Sequence, residues 1–233
     1  MKTKSFIISL AVMAAMPVAS LAQDSLTPSL SADLVSEYIW RGQNLGGASF
    51  QPGFGIAYKG ISLSAWGSVG FDKEDTREVD LTLGYSVGKF SVSVTDYWFS
   101  GGPGYFKYGA HDTSHVFEAQ LGYDFGPVAI NWYTNFAGND GVCPGGSRAY
   151  SSYVEVSAPF TSGPIDWNVE VGASPYATSF YNCNGFAVTN VGIGASHQFP
   201  IAKDFGLTVF GKGVWNPCDS QAYAVLGVSF ATL

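Results

Sequence analysis

The sequence predicts an all-β chain, an antiparallel up-and-down barrel of about 12 strands built to cross a membrane. Three observations carry that reading. Of 233 residues, 46% are hydrophobic and 15% aromatic while only 12% are charged, and a soluble domain usually carries about a quarter charged residues. From Ser31 onward, apolar and polar residues alternate with period two, which sends successive side chains to opposite faces of a strand. The alternating segments run to about ten residues, the length a tilted strand needs to cross hydrocarbon, whereas the modal strand of soluble domains has about 5–6.

The same composition excludes other classes. The apolar fraction is too high for a disordered chain. Beyond the first two dozen residues no apolar run approaches the roughly 20 needed for a spanning helix. With 18 acidic against 11 basic side chains, a formal charge of −7, the chain lacks the basic patch expected of a nucleic-acid binder.

In chain order, residues 1–22 read as an export signal. Lys2 and Lys4 precede an apolar stretch over 6–18, and Ser20-Leu21-Ala22 offers small residues at the −3 and −1 positions of a cleavage site. Cleavage after Ala22 leaves residues 23–233 as one barrel domain, with nine basic against 18 acidic side chains and a formal charge of −9. No Cys follows the site, so a lipid anchor through an N-terminal Cys is not indicated.

The expected strands are 31–43, 50–59, 61–71, 76–87, 90–99, 113–125, 128–137, 148–158, 165–175, 185–198, 205–215 and 221–230. The fourth is the clearest: Val79, Leu81, Leu83, Tyr85 and Val87 share one face, and Asp80, Thr82, Gly84 and Ser86 the other. Connections of two kinds alternate. Lys59-Gly60, Gly88-Lys89, Gly126-Pro127, Ser162-Gly163-Pro164 and the turn over 200–204 are short. Those over 44–49, 72–75, 100–112, 138–147, 176–184 and 216–220 are mostly longer and more polar, which collects the long loops at one end, as in outer-membrane barrels. A soluble sandwich alternates too, with its apolar face inward; strand length, loop pattern and low charge favour the barrel. Aromatics at segment ends, Tyr38 and Trp40, those over 97–99, Tyr123 and Phe125, and Phe199, are expected in interfacial girdles.

The stretch Ala32-Asp-Leu-Val-Ser-Glu-Tyr-Ile-Trp-Arg-Gly-Gln43, directly after the export signal, resembles the opening strand of the bacterial TorF family porins, which ends in Tyr-x-x-Arg-Gly. Here Tyr38, Arg41 and Gly42 fit. Similarity continues through Leu63-Ser-Ala-Trp-Gly-Ser68 and Val79-Asp-Leu-Thr-Leu-Gly-Tyr85. The resemblance implies an outer-membrane barrel and a channel.

If the apolar faces meet lipid, the pore lining receives Glu37, Arg41, Asp80, Glu118, Glu155, Asp166, Glu170 and Lys212. Acids outnumber bases six to two among these, a lining that favours cations. The alternative is a filled lumen in which Arg41 and Lys212 neutralise neighbouring carboxylates. Asp96 falls on an apolar face and requires a bulge or a position above the hydrocarbon. Cys143, Cys183 and Cys218 fall in three of the long loops, so two of them could form one disulfide, and the sequence does not choose the pair. No close Cys pair supplies a zinc site, and His111 and His115 sit in a Gly-rich stretch entering a strand, read as polar loop. His197, near a turn, is read as interfacial. No Gly-x-Ser-x-Gly elbow occurs. The expectation is therefore a channel in the outer membrane of a Gram-negative bacterium, not an enzyme. It needs no metal or cofactor, and passes small hydrophilic solutes, preferentially cations, by passive diffusion. Its partners are lipid and solute, not nucleic acid. A structural or surface-binding barrel is the alternative, and an outer-membrane enzyme on a barrel scaffold a more distant one.

Overall fold

A computed structural model describes residues 25–110 and 112–233; the export signal and His111 lie outside the described residues. The strands are β1 (Thr27–Val35), β2 (Tyr38–Trp40), β3 (Gln43–Gly46), β4 (Ser49–Tyr58), β5 (Ile61–Gly70), β6 (Glu78–Val87), β7 (Phe90–Phe99), β8 (His115–Asp124), β9 (Ala129–Gly138), β10 (Ser152–Ser162), β11 (Ile165–Ser174), β12 (Ala187–Ala202), β13 (Phe205–Asn216) and β14 (Gln221–Thr232). Twelve of them close into one antiparallel barrel, in which β1 pairs with β14 on one side and with β4 on the other. Each remaining barrel strand pairs with its neighbours in sequence, so the sheet has no free edge. No helix occurs among the described residues.

The alternation sorts as expected for a barrel with an apolar exterior. On β6, Leu83 is 58% exposed while Asp80 is 4% exposed. The same separation holds along β5, where Leu63 and Val69 face out and Ser64, Trp66 and Ser68 face in. Short turns connect at one end, as at Lys59 (φ 48°) and Gly60 (φ 84°), where positive φ at both central residues gives the primed turn that suits strand twist. The longer connections lie at the other end.

The first expected segment is where structure and expectation part. A single strand over 31–43 is replaced by β1, which ends at Val35, and by a separate hairpin of β2 and β3. The chain leaves the wall where the Ser36 amide donates to the Leu226 carbonyl, 2.8 Å. It then reverses at Arg41 (φ 50°) and Gly42 (φ 82°). The two-residue period is in fact broken there, with Leu34-Val35 both apolar, Ser36-Glu37 both polar and Tyr38 to Trp40 all apolar, a break that the single expected strand passed over. Tyr38 and Trp40 accordingly belong to no girdle: with Tyr97 they are buried inside the barrel, in one cluster with Trp66, Tyr153 and Tyr181. Phe125 and Phe199 do face outward.

Gly42 is required by its site. Besides its positive φ, a Cβ there would run into the Thr189 carbonyl oxygen. Gly88 has a similar φ of 63° but open space around it. Gly88→Ala should cost about 1–2 kcal/mol, the left-handed penalty, and Gly42→Ala clearly more. Urea unfolding from lipid vesicles measures both; equal losses would mean the hairpin tip is not seated against β12.

Candidate functional site

The β2–β3 hairpin crosses the barrel interior. It springs from the seam between β1 and β4, and in the ring order β9 and β10 stand opposite that seam. Its tip arrives there. The Arg41 guanidinium donates to both oxygens of Glu118 on β8, Nη1 to Oε2 at 2.6 Å and Nη2 to Oε1 at 2.9 Å, and Nη1 also donates to the Tyr181 hydroxyl at 2.6 Å. Tyr97 on β7 donates to the same carboxylate at 2.9 Å. The guanidinium carbon lies 4.5 Å from the ring centre of Trp40, 4.0 Å from Tyr133 and 4.8 Å from Tyr153. Behind Arg41, Asn216 on β13 donates to the Gly42 carbonyl at 3.0 Å.

A planar fork on a carboxylate is the geometry Arg offers and Lys does not. Removing one partner of such a buried pair typically costs about 3–5 kcal/mol because the other charge is stranded. The surrounding rings add cation–π attraction of about 0.5–2 kcal/mol each. The tip is therefore held by side chains, while the barrel wall closes without it, since β1 and β4 pair directly from Thr27↔Ala57 to Val35↔Ser49.

A second cluster lies along β10 to β13. Lys212 reaches Glu170 at 2.6 Å, and Asn190 donates to Glu170 at 2.7 Å. Tyr153 donates to Glu155 at 3.0 Å. Lys212 and Glu170 stand on β13 and β11, two strands apart, and small residues on the inward face of β12 leave the room between them. A Cβ at Gly192 would lie 2.8 Å from the Glu170 Cγ.

The predicted residues thus divide. Arg41 and Glu118 meet at the hairpin tip, Glu155, Glu170 and Lys212 form the second cluster, and Asp80 faces inward beside Glu78. Glu37 lies off the wall, in the link between β1 and β2, and Asp166 stands apart near a short turn, accepting from Thr161 at 2.7 Å. Sequence reasoning missed Glu78, although it lies two residues from Asp80 on the same face. It also missed Tyr133, Tyr153 and Tyr181; the first two share the inward faces of predicted strands, and Tyr181 lies in a loop without periodicity.

On the outer surface, Asp96 resolves its conflict through a partner and a covering loop. His115 Nδ1 lies 2.7 Å from its Oδ1, and the His115 Nε2 lies 2.6 Å from the Tyr105 carbonyl. Tyr108 stacks on the imidazole with ring centres 4.1 Å apart. Partial burial, Tyr105 and the Asp96 carboxylate push the Tyr108 phenol up to about 12. His197, also outward, sits 2.6 Å from the Pro164 carbonyl.

No family model and no curated protein matches this chain. Among solved structures, a NanC porin aligns at TM-score 0.48 and 7% identity, covering 89% of this chain and 100% of its own. A KdgM porin aligns at 0.47 and 9%, covering 88% and 98% respectively. An outer membrane channel from Pseudomonas putida F1 aligns at 0.47 and 8%, covering 93% and 98%. The likeness is one of barrel architecture.

All three cysteines are free thiols in the long-loop region. Cys218 Sγ lies 3.9 Å from the carbonyl oxygen of Asn182, the neighbour of Cys183. The hydroxyl of Ser147 at 3.0 Å and nearby backbone amides lower the Cys143 thiol's pKa, whereas partial burial and Asp219 raise that of Cys218. A lowered pKa means more thiolate at a given pH. In reduced protein near pH 8, Cys143 should therefore be alkylated before Cys218, and the gap should narrow as pH rises toward 10. Mass spectrometry of timed quenches reads this; Cys218 reacting first would contradict it.

Proposed function

We propose that the chain is a channel of the outer membrane of a Gram-negative bacterium that passes small hydrophilic solutes, with cations preferred, and that the β2–β3 hairpin sets the passage. The observation that supports this most is a closed barrel with an apolar exterior and an interior rich in carboxylates. An apolar outer wall with every strand paired is the form a sheet needs in hydrocarbon, where unpaired backbone groups are too costly. Carboxylates confined in a low-dielectric lumen raise the local cation concentration. The mechanism is selection by width and lining charge, with no bond made or broken.

Twelve strands enclose less than the 16–18 of wide porins, and the hairpin narrows the interior further. The hairpin also favours a second reading, the structural or surface-binding barrel. Its tip is buried among five aromatic rings and a paired carboxylate, a filling that a barrel without transport would equally use.

Reconstitution in planar bilayers separates the two. The channel reading expects small wild-type currents with reversal potentials toward cation selectivity, stronger at 0.01 M salt, where the Debye length is about 30 Å, than at 1 M, where it is about 3 Å. Arg41→Ala should raise conductance several-fold by unlatching the tip. If both proteins keep the gel mobility of a folded barrel and neither passes current, the structural reading is correct.

A further inference from the structure

Among the described residues the barrel interior holds more carboxylates than bases, and Arg41 and Lys212 are both engaged. Arg41 is bound to Glu118 and Lys212 to Glu170. The pair left over is Glu78 and Asp80, neighbours on the inward face of β6. Both are at least nine-tenths buried. Their carboxyl groups lie close enough to interact, and the strongest charged neighbours of Asp80 are Glu78, Glu118 and Asp96, all acids. Arg77, the next residue along, is exposed.

A second and independent feature points into this pair. Tyr38, brought in by the hairpin and 2% exposed, turns its hydroxyl toward Glu78 and Asp80. That hydroxyl has no hydrogen-bond partner of ordinary geometry, and neither has Asp80 Oδ1. The Tyr38 ring is fixed against Trp66, centres 5.6 Å apart, so the hydroxyl is positioned rather than loose. Two adjacent buried carboxylates repel unless something positive or a proton lies between them.

We infer that Glu78, Asp80 and Tyr38 form a binding site for a hard divalent cation of the calcium class on the inner wall beside the hairpin. The donors are all oxygen, which suits such ions over transition metals. Two carboxylates supply a charge of −2 and up to four oxygens, the phenol a fifth, and water completes the 6–8 that calcium takes. Bound there, the cation would tie the hairpin, through Tyr38, to β6, a second tether beside the Arg41 latch. The inference refines the cation preference proposed above and depends on the channel only as the route of access.

The test is run on the full barrel in detergent, with no current measured, so its outcome is independent of transport. Chelator-treated protein at pH 7.5 is titrated with CaCl2 while the thermal midpoint is followed, and bound calcium is counted by isothermal calorimetry. The expected result is a saturable rise of several degrees with one calcium per barrel. Equivalent NaCl should not reproduce it. Glu78→Gln with Asp80→Asn, which keeps the shapes and removes the repulsion, should abolish it, and Tyr38→Phe should weaken the calcium midpoint several-fold. A wild-type midpoint indifferent to calcium, or the same rise in the double variant, overturns the site. Indifference to calcium together with stabilisation on acidification would show that a shared proton holds the pair instead.

Discussion

Everything in this molecule follows from the closure of one sheet at β1. That strand pairs with β4 over its full length and with β14 over Ser31 to Val35, and those two ladders convert a twelve-strand meander into a ring. Once closed, the sheet has an inside and an outside fixed by the two-residue period, and a register slip of one residue would exchange them. Leucines, valines and aromatics then form the outer wall, and the carboxylates, amides and hydroxyls are trapped within. Sequestered polar groups must find one another.

The interior solves that problem locally. The carboxylate of Glu118 receives three donations, two from Arg41 and one from Tyr97, and Glu170 is satisfied by Lys212, Asn190 and Asn168. The hairpin is part of the solution, because without Arg41 the carboxylate of Glu118 would be stranded. Yet the hairpin is not part of the wall. It can be held or released by a handful of side-chain contacts while the β1–β4 ladder remains intact, which separates the stability of the barrel from the state of its lumen.

Strand by strand, the wall was legible in the sequence, because a half-buried strand advertises itself through alternation; the expected 90–99 segment and β7 coincide, and β6 begins two residues after its expected start. The hairpin was not. The period breaks over Val35 to Trp40, but such a break does not say which strand the chain pairs with next, so Tyr38 to Arg41 read as a continuation of β1. The site was legible in part for the same reason. Asp80, Glu118 and Glu170 could be placed on inward faces by counting in twos. Arg41 meets Glu118 from 77 residues away and Tyr181 from 140 away, and contacts between such distant segments leave no periodic trace in a single sequence.

On this arrangement the outer wall meets lipid while the hairpin lies within the barrel. Single-tryptophan proteins in vesicles with brominated acyl chains test it directly. Trp132 and Trp215 project outward and are exposed, whereas Trp40 is buried at the hairpin. Brominated lipid is expected to quench Trp132 and Trp215 strongly and Trp40 almost not at all. Quenching of Trp40 comparable to theirs, or no lipid quenching of Trp132 and Trp215, would contradict it.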